Sequence, residues 1–171
     1  AERLGEVRTV LGASWEEDIG LAAEAILREE DGPCVVFDEI PGCPKGFRLL
    51  MNVFAGTRRN MTMGFPDHLS KQELSEAYKE SYLTKNDILP HEMVEDGPVL
   101  ENILTGDDID VTKFPAPIWH ERDGGRYIGT GTYSITRDPE ENWLNAGAYR
   151  AMVHGKKSVG CLMAAGHHGY I

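Results

Sequence analysis

The sequence predicts an α+β fold in which helices come early and an antiparallel sheet or small barrel comes late. Three observations carry that prediction. Two helix starts are written as capping boxes, Ser14 with Glu17 and Ser70 with Glu73. From Arg126 onward the texture turns to strands rich in Tyr, Ile and Thr. The length of 171 residues, 41% of them hydrophobic and 26% charged, is enough for a domain-sized core and is not the composition of a disordered chain.

Behind Ser14, the residues Ile19, Ala22, Ala23 and Ile26 recur at helical spacing, and Asp31-Gly32-Pro33 ends the run. Cys34 to Phe37 reads as a short buried strand. The loop Pro41 to Gly46 follows, and Phe47 to Phe54 reads as a second strand. After Ser70, the residues Leu74, Tyr78 and Tyr82 line one helix face at i, i+4 and i+8, which predicts tyrosines in the core. Residues 91 to 110 hold seven carboxylates and no Lys or Arg, read as a solvated loop with helix ends rather than a metal site. Phe114-Pro115-Ala116-Pro117 must be extended, because proline restricts itself and the residue before it. Tyr127 to Thr136, Trp143 to Met152 and Val159 to Ala165 are strand candidates, with turns at Asp138 to Glu141 and at Gly155-Lys156-Lys157. The N-terminal α/β region is placed at 1–110 and the start of a β domain at 111–171.

Composition excludes several functions. Seventeen Lys and Arg against twenty-eight Asp and Glu give a net charge of −11. That disfavours nucleic acid and anionic lipid, both of which need a cationic face. No apolar run approaches the length of a membrane span. Cys34, Cys43 and Cys161 lack C-x-x-C spacing, so reduced thiols in a cytoplasmic protein are expected. The start, Ala1-Glu2-Arg3, has neither an initiator Met nor a secretory signal, as expected of a processed chain or a piece of a longer one. Asn60-Met61-Thr62 matches a glycosylation sequon that carries no weight without such a signal. Gly129-Thr130-Gly131 opens like a dinucleotide fingerprint, but Ser134 stands where the third glycine belongs and no helix pattern follows, so a Rossmann site is rejected.

Charge turns over near the end of the chain. From Asn142 to Ile171 there are Arg150, Lys156, Lys157 and three histidines, and no carboxylate side chain. Local potential there is expected to favour an anion such as phosphate. Within this stretch, Asn145-Ala146-Gly147-Ala148-Tyr149-Arg150 combines an amide that can ligate a hard cation with a guanidinium that can grip phosphate or carboxylate. Positions 145 and 150 fall on opposite faces of a straight strand, so both serve one site only if the chain bends, and Gly147 permits a bend. One of His167 and His168 could join Asn145 around a metal.

At these residues the sequence resembles the UbiD-like decarboxylases, which depend on prenylated FMN. The likeness runs through Gly32-Pro33-Cys34-Val35-Val36-Phe37, then Leu49 to Phe54 with Gly56-Thr57-Arg58-Arg59, then Gly125 to Gly131. Its strongest part is Asn145 to Val153 with His167-His168 downstream. The resemblance implies a split-barrel flavin-binding domain. It implies that Asn145 and His168 ligate a divalent metal, commonly Mn2+, beside the cofactor phosphate. Ala146 would offer its carbonyl to a neighbouring K+. Residues 145 to 150 would wrap the prenylated flavin, with His167 also in contact, and Arg150 would belong to a Glu-Arg-Glu network at the reactive centre. The implied reaction is a non-oxidative (de)carboxylation of an aromatic or α,β-unsaturated carboxylic acid. The flavin adds to the substrate as a 1,3-dipole and accepts the electrons left when CO₂ departs.

In that family the third metal ligand and two network carboxylates are glutamates further along, and no residue after His168 can take those roles. The chain therefore reads as the N-terminal part of such an enzyme, inactive alone, and paired with a C-terminal region or with copies of itself. The rival reading from another class is a flavin- or phosphate-binding module without catalysis.

Overall fold

The computed structural model describes residues 1–84, 90, 92–128 and 132–170. It begins with a βαβ unit: β1 (Val7–Leu11), α1 (Asp18–Leu27) and β2 (Cys34–Asp38), with β1 and β2 parallel from Val7 opposite Cys34 to Leu11 opposite Asp38. β3 (Leu49–Met51) adds antiparallel to β2, giving the order β1-β2-β3. Strand β1 escaped the sequence reading because four of its five residues are exposed and Arg8 interrupts its apolar pattern. The second predicted strand is only three residues long.

The core lies between α1 and this sheet. Ile19 and Phe37 are fully buried, with Val35, Ile40, Ala23 and Met51 around them. The α1 start differs from prediction by one residue. Ser14 Oγ accepts from Glu17 N and Asp18 N, but it is Asp18, not Glu17, whose carboxylate accepts from Ser14 N at 2.9 Å. That hydrogen bond from Ser14 N holds the Asp18 carboxyl below its ordinary range.

α2 (Gly56–Thr62) carries a buried arginine into the frame. Arg58 pairs with Glu6 and donates to Gly32 O at 2.6 Å and Asn52 O at 3.1 Å. Asn52 donates to Gly32 O and Pro33 O, so the loop entering β2 is held from two sides. Asn60 is buried and donates to Asp67 O and Leu69 O, which makes it a structural amide tying α2 to the next loop.

α3 (Lys71–Thr84) opens with the predicted capping box: Ser70 N donates to Glu73 at 2.9 Å, and Glu73 N donates to Ser70 Oγ at 3.2 Å. The expectation of a tyrosine core on α3 is wrong. Leu74 is buried, but Tyr78 is half exposed and Tyr82 is 73% exposed. Tyr78 meets Phe65 edge to face, with ring centroids 6.5 Å apart. The hydrogen bond from Ser70 N lowers the Glu73 pKa. A carboxylate with a lowered native pKa stabilises fully above its unfolded pKa and loses that contribution as pH falls through the native value. Glu73→Gln keeps the acceptor and removes the titration, so we expect the helicity difference between variant and wild type to change across that window. Circular dichroism during acid titration checks it.

The carboxylate-rich segment is solvated. Glu92, Glu95, Asp96, Glu101, Asp107 and Asp108 are exposed, and the half-buried Asp110 caps the 3-10 turn Val111–Lys113 by accepting from Thr112 N. Phe114 is extended as predicted, at φ −68° and ψ 143°. Ala116 and Pro117 are buried, and the next residues press on α1 so closely that a Cβ on Gly20 would stand 2.7 Å from Ile118 O and 2.8 Å from Trp119 O. Arg126 fixes this crossing. Its guanidinium lies 4.1 Å from the Trp15 ring centroid and donates to Ala116 O, Phe114 O and Thr112 O.

The strand-rich end forms two small antiparallel sheets. β4 (Tyr127–Ile128), β7 (Ala151–Gly155) and β8 (Ser158–Cys161) are ordered β4-β7-β8, and β5 (Tyr133–Arg137) pairs with β6 (Leu144–Ala148). At the β5–β6 turn Asp138 Oδ1 accepts from Glu140 N and Glu141 N, and Asn142 takes a positive φ of 61°. Gly129, Thr130 and Gly131 lie outside the described residues. The predicted strand over 143–152 is two strands, and the break falls at Tyr149-Arg150. β6 runs unbroken through Gly147, paired with Ser134, so the expected bend at Gly147 is corrected. Among the described residues, no helix is long and apolar enough to cross a membrane.

Candidate functional site

Alternation along β6 sorts the predicted site residues. Leu144, Ala146, Ala148 and Arg150 are exposed, while Trp143, Asn145, Gly147 and Tyr149 are half-buried. The second set is half-buried because the 3-10 turn His168–Tyr170 folds back onto β6. His168 meets Trp143 edge to face, with ring centroids 5.3 Å apart and planes at 85°. Gly169 N donates to the Tyr149 hydroxyl at 3.0 Å. Asn145 and His168, far apart in sequence, therefore share one face of β6.

Asn145 Nδ2 donates to Thr136 Oγ1 at 3.2 Å on the paired strand, which turns the amide so that its oxygen is left as an acceptor. Among the described residues, nothing donates to that oxygen. An amide oxygen and an imidazole suit a divalent cation of intermediate hardness in kind. They are incomplete in number, since no group of three His, Cys, Asp or Glu side chains clusters among the described residues. His167 is exposed on the same turn, where its carbonyl accepts from Tyr170 N.

Arg150 stands apart from this cluster. Its guanidinium lies 5.8 Å from the Tyr127 ring centroid and forms no ion pair among the described residues. It borders a cleft of about 840 Å³ whose apolar wall comes from Leu27, Leu50 and Phe54 of the N-terminal layer and from Trp119. Sequence reasoning missed that wall, because its residues come from separate elements and no spacing links them. A second cleft of about 740 Å³ is lined by Glu16, Glu17, Glu24 and Glu121 and holds none of the predicted site residues.

The expected anion-attracting potential of the C-terminal stretch is smaller than its composition implies. Lys157 pairs with Asp107 at 2.6 Å and Lys156 lies 3.9 Å from Asp110. The carboxylate-rich segment thus neutralises the lysine turn, and Arg150, beside the cleft, forms no ion pair among the described residues.

Comparison with known proteins bears on this arrangement. The family described as 3-octaprenyl-4-hydroxybenzoate carboxy-lyase N-terminal domain matches residues 1–79, and that described as 3-octaprenyl-4-hydroxybenzoate carboxy-lyase Rift-related domain matches residues 92–171. The pyrrole-2-carboxylic acid decarboxylase of Pseudomonas aeruginosa is 32% identical over 150 residues, covering 81% of this chain and 30% of that protein. The vanillic acid decarboxylase of Sedimentibacter hydroxybenzoicus in its closed form superposes with a TM-score of 0.84 at 26% identity, covering 97% of this chain and 36% of that one. An evolved dimeric form of the UbiD-class enzyme HmfF from Pelotomaculum thermopropionicum, solved in complex with prFMN, shares the fold at a TM-score of 0.76 and 23% identity, over 96% and 36% of the two chains. The chain spans 30% to 36% of the length of these relatives.

Proposed function

Since the chain belongs to the UbiD family of carboxy-lyases, corresponding to its N-terminal portion, we propose that it supplies the metal- and flavin-phosphate-binding part of a prenylated-FMN-dependent (de)carboxylase acting on an aromatic or α,β-unsaturated carboxylic acid. The observation that carries this reading is the shared β6 face, on which Asn145 offers an amide oxygen and the 168–170 turn brings an imidazole. Asn145 and His168 would hold Mn2+, and the Ala146 carbonyl would face K+. The run Asn145 to Arg150, with His167, would enclose the cofactor phosphate and flavin. When bound, prenylated FMN supplies an electron sink for the carbanion left by decarboxylation.

The chain's own residues would bind and orient. Arg150, without a carboxylate partner among the described residues, would meet the acid's carboxylate or the network glutamates of the reactive centre. Leu27, Leu50 and Phe54 would exclude water from the apolar part of the acid. The exposed apolar face of the β5–β6 hairpin, where Tyr133 and Ile135 are 77% and 72% exposed, supports assembly with further chain or with other copies.

Manganese uptake tests the reading. Electron paramagnetic resonance of free Mn2+ is expected to show binding to wild type that weakens about tenfold or more in Asn145→Ala and His168→Ala. Equal uptake by all three proteins would overturn it. No CO₂ release is expected from this chain alone with prenylated FMN and Mn2+ added, and measurable release would refute that part.

A further inference from the structure

We propose that Tyr149 is a positioning residue that latches the His168 turn onto the Asn145 face of β6. The inference rests on the reading of Asn145 and His168 as metal ligands, and it assigns the part that sets their mutual placement. Tyr149 occupies the break between β6 and β7. Its hydroxyl accepts from Gly169 N at 3.0 Å. Its ring lies across Gly147, where a Cβ would collide with ring carbons, and beneath Gly169, where a Cβ would stand 2.6 Å from the hydroxyl oxygen.

Neither glycine is among those with positive φ. Their lack of a side chain is therefore not a backbone requirement. The Tyr149 ring accounts for it, because any Cβ at either position would evict the ring. The tyrosine backbone is tethered in turn, since its carbonyl accepts from Thr132 Oγ1 at 3.5 Å. On the other side of the turn, Trp143 meets the His168 imidazole edge to face. The turn spans His168–Tyr170, and its backbone bonds among the described residues include His167 N to Ala164 O and Tyr170 N to His167 O. Tyr149 and Trp143 add contacts to this short turn from outside it. A histidine ligand needs such orientation, because the ring must be held before the metal arrives.

Tyr149→Phe keeps the ring and removes the acceptor. Gly169 amide exchange is expected to accelerate about fivefold or more, as for loss of one hydrogen bond. The His168 ring resonances are expected to lose the ring-current shift imposed by Trp143, while Ile135 and Ala146 amides in the β5–β6 ladder keep their protection. Mn2+ affinity is expected to fall about ten- to a hundredfold. Gly169→Ala, which displaces the hydroxyl instead of deleting it, is expected to reproduce all three changes. The latch is overturned if Gly169 exchange and His168 shifts are the same in Tyr149→Phe as in wild type, or if they change while Mn2+ affinity does not. If wild type takes up no Mn2+ but the amide and ring signals respond to Tyr149→Phe, the metal reading falls and the latch stands.

Discussion

Arg58→Ala is expected to destabilise the protein by about 3–5 kcal/mol, the cost of breaking a buried ion pair by deleting one partner. Arg58 is 5% exposed, and three partners depend on it: the Glu6 carboxylate before β1, the Gly32 carbonyl before β2 and the Asn52 carbonyl after β3. One side chain thus ties the ends of all three strands of the first sheet. At about 2–4 °C per kcal/mol for a chain of this size, the midpoint falls by roughly 10 °C. Arg58→Lys keeps a charge but cannot reach three acceptors with a planar fork, so it recovers only part of the loss. Thermal unfolding followed by circular dichroism checks both, and a loss below about 1 kcal/mol in Arg58→Ala would contradict the role.

Arg126→Ala is expected to cost about 2–4 kcal/mol, from hydrogen bonds of a charged donor and the stack on Trp15, discounted for partial exposure. Its effect is also local. The carbonyls of Thr112, Phe114 and Ala116 lose their common donor, and the indole of Trp15 loses its cover. The proline-bound segment then loosens from α1, and with it Trp119 in the cleft wall. Urea unfolding measures the loss, and a red shift of tryptophan emission in the folded variant reports the uncovered indole.

Helices were legible where a polar cap and an apolar period coincide. Ser70 with Glu73 did so without error, and Ser14 did so with Asp18 as the reciprocal partner. Periodicity failed on α3, because i, i+4, i+8 spacing marks a face and not what covers it; Tyr82 remains in solvent. At the candidate site, the family resemblance singled out Asn145 and His168, and the fold sets the two on one face of β6. The break after β6 was not, because Gly147 drew the bend to itself while the chain turns at Tyr149-Arg150, two residues with no special backbone freedom. The neutralising contact between Lys157 and Asp107 spans fifty positions, a distance at which local charge counts carry no information.

The β5–β6 ribbon has one further consequence. Two strands alone are marginal in water, and this pair turns Tyr133 and Ile135 outward with Asn145 on its inner side. Order at the amide is therefore linked by mass action to whatever shields the outer side. If a second copy of the chain shields that side, as proposed above, dilution is expected to fray the ribbon before the βαβ unit, and apparent Mn2+ affinity is expected to rise with protein concentration.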